Sequence, residues 1–147
     1  MRRQLLIVVS IVVILGLSVL YVTMALPKPK IYRDGVYLGS SQSIYTGESY
    51  YGVAQVTIYN HQISKVDFYI IDKSNNEILN EKYEKHFYGN AEYLRQFHND
   101  LKGTRLYPQK LLEVKSISQV DAIAGATWSY NIFKDSVEVA LKKAQSK

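Results

Sequence analysis

The sequence predicts an α+β domain in which an antiparallel sheet packs against helices, preceded by an N-terminal transmembrane helix. Apolar residues alternate with polar ones between residues 51 and 71, and they recur every three or four positions near the C-terminus. Strands that come before helices are typical of an α+β architecture with an antiparallel sheet. We assign residues 1–26 to a cytoplasmic stub and transmembrane helix, 27–33 to a linker and 34–147 to the folded domain.

The segment Leu5–Leu26 contains no charged residue. As a helix it would span roughly 33 Å, enough to cross the hydrocarbon core of a bilayer. Arg2 and Arg3 precede it, which favours a cytoplasmic N-terminus and places the rest of the chain outside. A cleaved signal peptide is the alternative, but its apolar core is usually only about 7–15 residues long. Both interpretations export the domain.

Composition excludes several classes of function. The chain has a formal charge of +5 and no cysteine, so it has neither disulfides nor thiolate metal sites. Basic residues do not interleave with aromatic ones as in a nucleic-acid interface. The basic residues Lys28, Lys30 and Arg33 follow the apolar segment. They either contact anionic membrane lipid or are ordinary flanking charges. The three histidines lack the spacing of a metal site, and we assign no catalytic or metal-binding residue.

Three strands are predicted in the first half of the domain. Asp34-Gly35 marks a turn before a short strand at Val36–Leu38. Tyr51–Tyr59 and Ile63–Ile71 then form a hairpin around a polar turn at residues 60–62. One face of each long strand is apolar; its members are Ala54, Val56 and Ile58 on the first and Val66, Phe68 and Ile70 on the second.

The second half is predicted to be mostly helical. A loose helical spacing covers Ile78–Phe87, and Asn90 caps a helix that ends at Gly103. Pro108 is expected in the first turn of another helix. Ile117–Asp121 is expected to be extended. The last helix follows residue 127, with its apolar stripe at Phe133, Val137, Ala140, Leu141 and Ala144.

The most informative segment is Asp121–Ser129, which places a hydroxyl at the start of that last helix. Thr127 directly follows two very small residues, Gly125 and Ala126. The first N–H groups of a helix and its dipole favour an anion. Small neighbours let another molecule approach the backbone closely. The segment therefore predicts a phosphate-holding site at Thr127.

This segment resembles the flavinylation motif of the FMN-binding domain family. That motif reads approximately Asp-x-x-Ser/Thr-Gly-Ala-Thr-x-Ser/Thr, and the matching residues here are Asp121, Gly125, Ala126, Thr127 and Ser129. Ala124 departs from it, because the family usually has Ser or Thr there. The run Asp34–Gly39 also resembles the opening of the family's domain. The family includes the C subunit of sodium-translocating NADH:quinone reductase and the G subunit of Rnf complexes.

The resemblance implies covalent FMN, joined by a phosphoester to Thr127. A threonine hydroxyl is a weak nucleophile without a base, and no base is adjacent, so a separate flavin transferase with FAD as donor is expected. Without the motif, Thr127 would be interpreted as an ordinary helix cap. Gly125 and Ala126 would allow close approach of the cofactor.

The remaining motif residues each have two interpretations. Asp121 is either recognised by the transferase or is a loop acid that caps the end of the preceding strand. Ser129 either bonds a phosphate oxygen or caps the helix. Trp128 either lies against the isoalloxazine ring or is buried in the core.

The function implied by the resemblance is electron transfer outside the membrane. FMN would carry electrons between a membrane donor, such as a quinone-linked dehydrogenase, and an external acceptor. Two alternatives remain open at this point. One is a flavin-free exported module for interaction or sensing, and the other is a domain that binds FMN without a covalent bond.

Overall fold

The structure, a computed structural model, describes residues 32–41 and 49–145. In this part of the chain, four strands form one sheet and two helices pack against it. The predicted membrane-spanning segment Leu5–Leu26 lies outside the described residues. Among residues 32–41 and 49–145, no helix is long and apolar enough to cross a membrane.

The sheet is antiparallel throughout, with its strands in chain order. The strands are β1 (Gly35–Ser40), β2 (Tyr50–Tyr59), β3 (Gln62–Asp72) and β4 (Glu77–Ile78). This arrangement confirms the predicted α+β class. All six residues predicted to share the apolar strand face are buried: Ala54, Val56, Ile58, Val66, Phe68 and Ile70. The opposite face carries exposed apolar side chains, including Val36 and Leu38.

The β2–β3 turn is formed by Asn60 and His61, both with positive φ, at 49° and 62°. The Asp34 carboxylate accepts hydrogen bonds from both of their backbone N–H groups, at 3.0 and 2.8 Å. Asp34 therefore does more than mark the turn before β1. It also fixes the turn of the neighbouring hairpin.

The predicted break between two helices near Gly103 was wrong. A single helix, α1, runs from Ala91 to Val114 and contains Pro108 in its interior. Asn90 caps it as predicted, with Asn90 Oδ1 accepting the N–H of Tyr93 at 3.1 Å. The second helix, α2, runs from Thr127 to Ala144.

Gly103 has a packing role inside α1 and does not end the helix. A Cβ at this position would lie 2.7 Å from Ser129 Oγ and 3.0 Å from Ala126 Cβ. Glycine costs up to about 1 kcal/mol in a helix interior. Here it allows α1 to pass directly against the start of α2.

Two further local predictions also need correction. The stretch Ile78–Phe87 contains the end of β4 and a 3₁₀ helix at Glu81–Phe87. The segment after α1 forms a short 3₁₀ turn at Ile117–Gln119 where an extended chain was expected. Each is a short piece of 3₁₀ helix, too short to show a hydrophobic period.

Helix α2 lies directly on the first two strands, and its five predicted apolar positions are all buried. Gly39 of β1 lets the backbone of α2 lie directly against the backbone of the strand. A Cβ there would overlap the carbonyl oxygen of Ser136 and lie 2.5 Å from the nitrogen of Ala140. The end of α2 is also tied to the start of the domain, because Arg33 N–H donates to Ala144 O at 2.8 Å.

Candidate functional site

Two tyrosines hold the loop that leads into α2. The buried Tyr107 hydroxyl donates to Ala126 O at 2.9 Å and accepts the N–H of Ile123 at 3.1 Å. Tyr130 donates to Val120 O at 2.8 Å. Burial raises the pKa of Tyr107, so its hydroxyl keeps the proton that it donates. The loop geometry is therefore fixed from α1 and from α2 at once.

Tyr107→Phe is expected to destabilise the domain by about 1–3 kcal/mol, because it leaves the Ile123 N–H without a partner inside the protein. Urea unfolding measures the loss, and amide hydrogen exchange should accelerate at Ile123. Tyr130→Phe is the matched control, since it removes one bond from a half-buried site. A Tyr107→Phe protein as stable as Tyr130→Phe would contradict this account.

Gly125 adopts a backbone conformation that favours glycine, with φ at 78°. A Cβ at this position would also lie 2.8 Å from Asn99 Nδ2 of α1. Its carbonyl oxygen accepts a hydrogen bond from Gln96 Nε2 at 2.9 Å. The positive φ therefore favours glycine here, so Gly125 has a structural reason independent of any ligand.

Thr127 is the first residue of α2, and its side chain is exposed. Within residues 32–41 and 49–145, no acceptor bonds the backbone N–H of Thr127 or of Trp128. These N–H groups point out of the first helical turn. The side chain of Thr127 is therefore exposed to solvent at a helix N-terminus, whereas the preceding residue, Ala126, is fully buried.

The third N–H of the turn is already bonded. The backbone N–H of Ser129 donates to Asp100 Oδ1 of α1 at 3.1 Å, and Asp100 is only 4% exposed. Asp100 Oδ2 also accepts from Gln96 at 2.7 Å. This carboxylate caps α2 from a neighbouring helix and places a negative charge at the positive end of its dipole.

The other two polar residues of the motif, Ser129 and Asp121, differ in their exposure to solvent. Ser129 is fully buried and its hydroxyl donates to Ala126 O at 3.0 Å. This geometry favours a structural role for Ser129 over contact with a phosphate. Asp121 is exposed on the loop, where another protein could reach it.

A cleft of about 370 Å³ lies beside the start of α2. Trp128 lines it half-buried, and Tyr50 meets the Trp128 ring edge-on with the centroids 5.4 Å apart. Its volume is in the range of small-molecule sites, which are mostly apolar with a few polar groups. The lining residues are Tyr50, Leu79, Phe87, Tyr93, Gln96, Phe97, Asp100 and Trp128.

Of these lining residues, the sequence predicted only Trp128. The others come from β2, the segment after β4, the 3₁₀ helix and α1, so no local spacing could bring them together. The one available signal was the pair Tyr93 and Phe97, four residues apart on one face of a helix.

A polar cluster around Asp72 is linked to the cleft through Tyr83 and Tyr50. Asp72 is 2% exposed and accepts four hydrogen bonds, from Ser49, Ser74, Asn75 and Tyr83. Burial alone would raise the pKa of Asp72, but these donors outweigh it and lower the pKa to about 2. Asp72 is therefore a buried carboxylate that stays ionised near neutral pH.

Fold and site together define a small α+β domain with a candidate small-molecule site. It offers an aromatic cleft next to an exposed hydroxyl at a helix N-terminus. The sequence model of the FMN-binding domain matches residues 51–142, more than half of the chain. The chain belongs to the FMN-binding domain family. This membership supports FMN as its ligand.

One of two similar solved structures supports this fold. A crystal structure of a Clostridium perfringens protein is 22% identical, with a TM-score of 0.57 over 78% of this chain and 89% of that one. A solution structure of a Clostridium thermocellum protein is 19% identical, with a TM-score of 0.45 over 77% of this chain and 92% of that one. The first supports the fold alone. No curated protein matches the chain.

Proposed function

We propose that this protein is a membrane-anchored, extracytoplasmic flavoprotein that carries FMN covalently on Thr127 and transfers electrons. The observation that carries the proposal is a juxtaposition. The exposed Thr127 hydroxyl is next in sequence to Trp128, and Trp128 lines an aromatic cleft of about 370 Å³. A phosphoester at Thr127 would leave the attached ring beside that cleft.

The residues of the chain would bind and orient the cofactor. Trp128, Tyr50 and Phe87 offer aromatic surface for the isoalloxazine ring. The N–H groups of Thr127 and Trp128 would hold phosphate oxygens. FMN supplies the redox chemistry when bound, and the protein supplies its position and environment.

Attachment requires a second enzyme. In the proposed reaction, the Thr127 hydroxyl attacks the FMN phosphorus of FAD, the phosphoanhydride bond breaks and AMP leaves. The transferase would take up the hydroxyl proton, because the described residues place no base in hydrogen-bonding contact with Thr127. Asp121, exposed on the preceding loop, is the residue we expect the transferase to recognise.

The decisive experiment is the intact mass of the full-length protein, purified from a host that makes a compatible flavin transferase. We expect the mass to increase by one FMN less one water, and Thr127→Ala to abolish this increase completely. Thr127→Ser keeps a hydroxyl and should retain part of it. Thr57→Ala, on the sheet face away from the helices, is the matched control and should be fully modified.

The other outcomes of that experiment have distinct meanings. Unmodified but yellow protein would replace the covalent proposal with non-covalent FMN binding. Ala124, at a position where the family motif usually has Ser or Thr, supports the flavin-free alternative. Colourless, unmodified protein would contradict flavin binding and leave a flavin-free interaction or sensing module.

The cellular context is proposed from the sequence. The uncharged segment Leu5–Leu26 would anchor the chain in the membrane with residues 34–147 outside. The electron donor would then be a membrane enzyme, such as a quinone-linked dehydrogenase. Protease added to intact cells should digest the domain, and complete resistance would contradict this orientation.

A further inference from the structure

Three side chains, Tyr50, Tyr83 and Asp72, form a hydrogen-bonded series that starts at the cleft. Tyr83 donates to Asp72 Oδ2 at 2.6 Å, and the hydroxyl oxygens of Tyr83 and Tyr50 are 3.0 Å apart. Tyr50 is the only one of the three that lines the cleft, where it meets Trp128. The cleft is therefore in hydrogen-bonding contact with Asp72 through two phenols.

The hydroxyl protons of Tyr50 and Tyr83 have one arrangement that is consistent with an ionised Asp72. Each phenol has a single proton, and an ionised carboxylate only accepts. The proton of Tyr83 therefore goes to Asp72, and burial together with that bond raises the pKa of Tyr83, which keeps it protonated. The proton between the two phenols then belongs to Tyr50. What remains on the Tyr50 oxygen is a lone pair.

We propose that Tyr50 is a positioning residue whose hydroxyl only accepts hydrogen bonds from the ring in the cleft, because Tyr83 and Asp72 fix its own proton. The inference rests on the proposed function for the identity of that ring. Reduction places a proton on N5 of an isoalloxazine ring, which is the ring position that Tyr50 would face in this proposal. An acceptor facing N5 favours the reduced ring, whereas a donor to N5 would favour the oxidised one. Tyr50 accordingly raises the midpoint potential of the attached flavin.

The test is a spectroelectrochemical titration of the full-length, flavinylated protein. Tyr50→Phe should shift the ratio of oxidised to reduced flavin at a fixed potential about fivefold toward oxidised, the effect of one net hydrogen bond. Tyr83→Phe should shift it in the same direction, because the released proton of Tyr50 becomes a donor. In the double variant, Tyr83→Phe should add nothing to Tyr50→Phe. Tyr69→Phe, on the far sheet face, should match the wild type.

Several results would overturn the inference. One is a midpoint potential that is unchanged or raised in Tyr50→Phe. Another is an effect of Tyr83→Phe on the potential that persists when Tyr50 is also replaced by Phe. Absence of flavin from the wild type would instead contradict the proposed function. Proton NMR of the flavin-free Thr127→Ala protein then tests the arrangement directly. A Tyr83 hydroxyl proton directed at Tyr50, and not at Asp72, would refute it.

Discussion

Gly39→Ala is expected to destabilise the domain by about 3 kcal/mol or more, a large part of the ~5–15 kcal/mol that holds a typical domain folded. The added Cβ would overlap the Ser136 carbonyl oxygen and crowd the nitrogen of Ala140. Both atoms belong to the backbone of α2, so no side-chain rotation relieves the contact. The helix must move off β1 and take its buried apolar stripe with it.

Thermal unfolding followed by circular dichroism measures this effect, and we expect the melting temperature to fall by roughly 10 °C or more. Ser40→Ala is the matched control. It adds no atoms at the next position of the same strand, where the side chain is exposed, and should change stability by less than about 0.5 kcal/mol. A Gly39→Ala protein that melts with the wild type would show that α2 is not seated on β1 as described.

Asp72→Ala is expected to cost about 3 kcal/mol. It leaves the hydroxyls of Ser49 and Tyr83 and two nitrogen donors without their acceptor, and an unsatisfied buried group costs about 1–3 kcal/mol. Asp67→Ala removes a carboxylate paired with Lys65 at the surface, and should cost less than about 1 kcal/mol. Urea unfolding at neutral pH compares the two variants, and equal losses would contradict the account of the cluster.

The same cluster predicts a dependence of stability on acid. The folded pKa of Asp72 is about 2, below the value of about 3.9 for an unfolded aspartate. Its contribution is therefore present above pH 4 and is lost as the pH falls toward 2. After allowance for screening by nearby solvent, it amounts to about 1–2 kcal/mol. Asp72→Asn should lose correspondingly less stability than the wild type over this interval.

The sequence allowed confident prediction where a pattern was long and regular. The alternation along β2 and β3 identified the buried face, and the spacing after Thr127 identified the buried stripe of α2. It failed at Gly103 and Pro108, which are normally helix-ending residues. At Gly103, close packing of α1 against the start of α2 accommodates a residue that local helix propensity opposes.

The candidate site was predictable only in part, for a related reason. The motif is contiguous, so Thr127 and its small neighbours could be identified in the sequence alone. The cleft is assembled from Tyr50, Phe87, Tyr93 and other residues that are distant along the chain. No spacing in the sequence marks Asp72, and only the fold reveals that it is buried among four donors.

The Asp100 carboxylate at the start of α2 has a consequence for how a flavin would be retained. It already uses the Ser129 N–H and stands as a fixed anion near the place proposed for the phosphate. A diffusing FMN would therefore meet electrostatic repulsion as well as attraction there. Permanence would then come from the chemical bond to Thr127, while the aromatic cleft would govern only orientation.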